Sequence, residues 1–94
     1  MHRYQSHVAW QGSTAVGYAG YDRTHRAVTP PAQGELRLSA DPAFRGDPAL
    51  HNPEQLLLAA ASSCQLLSFL APAAQEHVDV LRYEDDAEAL DASE

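Results

Sequence analysis

Three side chains in this sequence carry groups that can do chemistry together: the thiol of Cys64, the carboxylate of Glu54 and the guanidinium of Arg23. A thiolate is a nucleophile and a two-electron reductant. Burial disfavours ionisation of the thiol, and a neighbouring cation opposes that penalty. Each residue also has a plain structural reading. A lone cysteine on an apolar helix is commonly a small packing residue. Glu54 suits the first turn of a helix, where the dipole favours an acid by about 0.3–1 kcal/mol. Arg23 suits a surface turn. Cys64 is the only cysteine, which excludes an intrachain disulfide and a thiolate-rich zinc site. The histidines, at positions 2, 7, 25, 51 and 77, show no ligand spacing, so a metal site is not expected; no other cofactor is expected either.

The elements around these residues follow from pattern. In the stretch from Arg3 to Trp10, the residues Tyr4, Ser6, Val8 and Trp10 alternate with Arg3, Gln5, His7 and Ala9, which predicts a half-buried strand. Gln11-Gly12-Ser13 signals a turn, and 14–21 reads as a second strand weakened by its glycines. Arg26 to Thr29 is extended and stopped by Pro30-Pro31, and Glu35 to Ser39 alternates again. Ala40 to Asn52, with two prolines and a glycine, is a long loop.

A helix then begins. Asn52 suits its N-cap, Pro53 its first position and Gln55 a capping box. No residue from Gln55 to Gln75 is charged. Its Cys64 face carries Leu57, Ala60, Ala61, Leu67 and Ala71, and the opposite face Leu58, Leu66, Phe69 and Leu70. A helix apolar on both sides must be covered all round. A membrane span is the rival reading, but the run is rich in alanine, includes serines and Pro72, and has no close flanking lysine or arginine. Pro72 predicts a kink or an end near Ala71. Alternation over Val78–Tyr83 predicts a last strand, and 84–94, with six acids and no base, an acidic solvated tail.

These elements make one domain over residues 1–94: an α+β fold in which an N-terminal antiparallel sheet packs on a long apolar helix, followed by one strand. The chain has 13 acidic and 6 basic residues, a formal charge of −7. That balance disfavours a nucleic-acid partner. With a lone thiol and no apolar run after the first residues, a cytoplasmic location is expected, and with the helix read as the centre of a soluble oligomer no membrane partner is expected. A domain this size buries only about 60–65% of its unfolded surface, and the helix has more apolar area than one small sheet covers. A homodimer is therefore expected.

The run Asn52-Pro53-Glu54-Gln55-Leu56-Leu57, then Ala59-Ala60-Ala61 and Cys64 ten residues after Glu54, resembles the signature of the OsmC/Ohr family (osmotically inducible protein C and organic hydroperoxide resistance proteins). The segments 41–48 and 83–88 are similar to one branch of that family. The likeness covers nearly the whole chain and is strongest from Asp41 to Ala87. It implies reduction of organic hydroperoxides, with Cys64 as peroxidatic nucleophile, Glu54 as the motif glutamate and an arginine from the sheet. Arg23 matches that arginine best, and Arg26 is the alternative. Family members carry a second, resolving cysteine in a further C-terminal half. Its absence here implies an external thiol or dithiol as reductant, and a fragment or a naturally short member. The alternative is a non-catalytic truncated homologue serving as a dimerisation or interaction module. A weaker idea is a binder of small apolar ligands.

Glu54 and Cys64 pose a geometric problem. Ten residues along one helix separate them by ~15 Å in height and ~80° around the axis, too far for one arginine to bridge. Two central helices packed antiparallel across a twofold axis would solve it. A local break at Ser62-Ser63 would be the other solution.

Overall fold

The computed structural model describes residues 1–90. The fold is α+β. Three short strands, β1 (His7–Ala9), β2 (His25–Val28) and β3 (Leu36–Leu38), precede one helix, α1 (Pro53–Gln75). Single 3-10 turns lie at Thr14–Val16 and Pro42–Phe44. The chain divides into two compact units, Met1–Pro53 and Glu54 onward.

In the first unit the strands form an antiparallel sheet in the order β1-β2-β3. Val8 pairs with Ala27, and Ala27 in turn with Leu36. Paired residues project to the same face, so Val8, His25, Ala27, Leu36 and Leu38 share one side. Ala9, Arg26 and Arg37 share the other. Leu38, 6% exposed, is the one buried apolar side chain among the described residues. The long loop after β3 is held back against the strand. The Ser39 amide donates to the His51 carbonyl at 2.9 Å, and the Asp47 amide donates to Ser39 Oγ at 3.0 Å. Asp41 caps the second 3-10 turn through a 2.8 Å bond from the Ala43 amide. At Gly46 a Cβ would lie 1.6 Å from the Ala40 carbonyl oxygen, so only glycine fits the bend.

The expected strand over 14–21 does not form. Ser13 accepts from the Ala15 amide and caps a 3-10 turn, and Gly17 follows at φ 91°, where a side chain is disfavoured. Local hydrogen bonding wins here over a weak alternation that offers no strong apolar face. β1 is also shorter than its pattern, because only His7–Ala9 faces a β2 partner.

The second unit is built on α1, which starts at Pro53, directly after the buried Asn52. It does not stop at Ala71. Pro72 lies inside it, and the helix runs on to Gln75. Proline loses its own amide bond to the Ser68 carbonyl and crowds that carbonyl, but its fixed φ is itself helical, and the helix continues one more turn. The end is a Schellman arrangement: the Val78 amide donates to Ala73 and the His77 amide to Ala74, with His77 left-handed at φ 60°. The strand expected over 78–83 is also not formed. The segment has no ladder partner among the described residues, and alternation without a partner does not make a strand. It turns back far enough to bring the Tyr83 ring 5.9 Å from Phe69. Residues 84–90 of the acidic tail carry no regular structure, and its last positions, 91–94, lie outside the described residues.

No residue of α1 is buried, against the complete covering its sequence calls for. Leu57 is 74% and Leu67 62% exposed. By length and composition the helix is also sufficient to cross a membrane.

Candidate functional site

Cys64 lies midway along α1 and its residue is exposed, so it fills no core within its own chain. Glu54 is the acid of the first turn, also exposed. The helix is continuous through Ser62-Ser63. The two residues are therefore held ~15 Å apart in height by the helical rise alone. The structure does not bring them together, and the local break that would have done so is absent.

Arg23 belongs to the first unit, in the turn that leads into β2. Its Nη1 donates to the Tyr21 carbonyl and its Nη2 to the Tyr18 carbonyl, both at 2.6 Å. The guanidinium also stacks on both rings, 3.7 Å from the Tyr21 centroid and 4.7 Å from that of Tyr18. Tyr21 in turn meets Trp10 and Tyr18 edge-on at 6.1 and 6.3 Å. These contacts fix the guanidinium without neutralising it, since carbonyls and ring faces carry no net charge. Among the described residues Arg23 makes no ion pair. The alternative, Arg26, sits on the polar sheet face, 3.8 Å from the Glu35 carboxylate.

The tyrosine cradle was not visible in the sequence. A strand over 14–21 puts Tyr18 and Tyr21 on opposite faces. The turns that replace it let both rings meet one guanidinium. Beside the cradle, Asp22 accepts from the Thr24 amide at 2.9 Å. That bond, with a smaller contribution from the field of Arg37, holds its carboxyl below the usual aspartate range. In the second unit, Tyr83 is shifted upward by desolvation and by the neighbouring Asp85. No group of three or more potential metal ligands is found among the described residues.

No protein-family model matches this chain, and neither a curated protein nor a solved structure does.

Proposed function

We propose that the chain is a thiol-dependent hydroperoxide-reducing protein of the OsmC/Ohr type, with Cys64 as the nucleophile. The observation that carries this reading is the placement of the sole thiol. It is exposed at mid-helix, ten residues beyond the glutamate of an Asn52-Pro53-Glu54-Gln55 helix start. The guanidinium of Arg23, which makes no ion pair among the described residues, adds to it. In the reaction the Cys64 thiolate attacks the terminal oxygen of an organic hydroperoxide. The O–O bond breaks, and the alkoxide takes up a proton and leaves as an alcohol. Cys64 is oxidised by two electrons to the sulfenic acid. An external thiol then attacks that sulfur and releases water. A second thiol equivalent cleaves the mixed disulfide and restores Cys64.

Arg23 is assigned the role of stabilising the thiolate, and Glu54 that of orienting Arg23. The distance along α1 supports a site shared by two chains. In a homodimer with antiparallel central helices, Glu54 of one copy meets Cys64 of the other. The same pairing would cover the exposed apolar surface of α1. No cofactor enters, and the reducing cytoplasm supplies the thiol. Consumption of an organic hydroperoxide in the presence of a dithiol tests this reading. Turnover that depends on the dithiol and disappears in Cys64→Ser supports it. A rate equal to that of Cys64→Ser refutes it.

A second reading is favoured by the exposure of α1: a non-catalytic homologue that uses the apolar helix as a dimerisation or interaction module. It predicts the same association with an inert Cys64.

A further inference from the structure

The polar face of the sheet carries a feature outside the assignment of Cys64, Arg23 and Glu54. Arg26 and Arg37 stand directly opposite each other on β2 and β3, with Ala9 next to Arg26 on β1. Like charges in this relation cost stability, and the chain as a whole is strongly acidic. Among the described residues the only carboxylate within ion-pair distance is Glu35, 3.8 Å from Arg26, and both side chains are about half exposed or more. Such a contact is worth little. Arg37 makes no ion pair among the described residues. Asp22 senses it only through space, with its carboxylate already accepting from Thr24. These two arginines, Glu35 and His25 help to line an open cavity of about 360 Å³, so its fixed charge is positive even with Glu35 included.

One wall of this cavity is aromatic and already in place. Trp10 lines it. Its indole Nε1 donates to the Asp22 carbonyl at 2.8 Å, and its ring meets Tyr21 edge-on. Gly12 closes on the ring so tightly that a Cβ there would lie 2.7 Å from Cζ2. The floor at Ala9 is small. A guanidinium fork recognises a carboxylate through two parallel hydrogen bonds, and an indole wall takes a flat apolar group. The volume falls at the small end of ligand sites.

We propose that this cavity is a binding site for a small aromatic carboxylate, with Arg37 taking the carboxylate, Arg26 adding charge and Trp10 packing on the ring. All of its lining residues belong to the first unit. Trp10 is the only tryptophan in the chain, so its emission reports on the cavity directly. Benzoate is titrated into the intact protein, with benzamide as the neutral match and sodium chloride as the ionic-strength control. The expected result is a saturable change with benzoate that benzamide and chloride do not reproduce. Arg37→Gln, and separately Arg26→Gln, should each weaken it at least tenfold, with far-UV circular dichroism confirming that each variant is folded. A linear, unsaturable response overturns the proposal. So does equal binding of benzamide, or benzoate binding unchanged in both folded variants.

Discussion

Glu54 and Cys64 stand on one unbroken helix, ten residues apart, with the thiol exposed at its middle. An α-helix resists bending, so this separation of ~15 Å is a fixed property of the chain. Any chemistry that needs both groups must draw one of them from elsewhere.

A site shared between two copies predicts complementation. Glu54→Ala and Cys64→Ser chains, each impaired alone, are mixed and allowed to exchange. In the mixed dimer one site combines both substitutions and the other has neither. Peroxide reactivity should therefore return, to about half the wild-type level per mixed dimer, as twofold symmetry requires. Exchange demonstrated by labelled subunits without recovered reactivity contradicts the shared site.

Arg23 and Arg26 separate in their surroundings. Arg23 is cradled by two tyrosines and makes no ion pair among the described residues, whereas Arg26 lies beside Glu35. Arg23→Ala should slow oxidation of Cys64 by an organic hydroperoxide on the order of 100-fold, the scale of losing a key electrostatic group. Arg26→Ala should change it less than about threefold, by screening of an exposed charge. Single-turnover rates measure both, and the reverse ranking would move the assignment to Arg26.

The sequence made some of this structure readable and hid the rest. The start of α1 was legible because Asn, Pro and Gln at 52, 53 and 55 are residue types favoured at a helix terminus, and the helix begins at Pro53. The positions of β2 and β3 were legible because Pro30-Pro31 stops the first extended run and the second alternates up to the loop after Ser39. The segments 14–21 and 78–83 were misread for a shared reason. Alternation states which faces a strand would have, while a ladder needs a partner that the sequence does not display. The tyrosine cradle went unseen with the first of these errors. Cys64, Glu54 and the arginine were picked out by residue type and motif, yet the separation enforced by an intact helix became definite only in three dimensions.

The bend at Gly46 should be intolerant of any side chain. A Cβ would overlap the backbone of Ala40, which has no room to retreat because Ser39 is tied to His51 and Asp47. Gly46→Ala is expected to cost about 2–4 kcal/mol, the range of severe steric substitutions. The shift in urea midpoint at constant slope measures it, and a change below about 0.5 kcal/mol, typical of an open surface site, would contradict the close approach.

Asp22 gives the first unit an acid-sensitive turn. Its carboxyl is held below the ordinary value of 3.8, mainly by the Thr24 bonds. A folded-state value below the unfolded one means that this contribution is complete above the unfolded value and is lost as pH falls through the folded one. The Thr24 amide shift, followed by NMR from pH 6 downward, should titrate with a midpoint under 3.8. Asp22→Asn should abolish that titration. A midpoint at or above the ordinary value would contradict the bond.

The central claim is that Cys64 is a peroxidatic thiol. Its most direct measurement is mass spectrometry of the protein exposed to one equivalent of an organic hydroperoxide in the presence of dimedone, with Cys64→Ser alongside. The account predicts a dimedone adduct on Cys64 within seconds, formed without other oxidation and absent from the variant. A Cys64 that stays reduced over minutes, no faster than free cysteine under the same conditions, would contradict it.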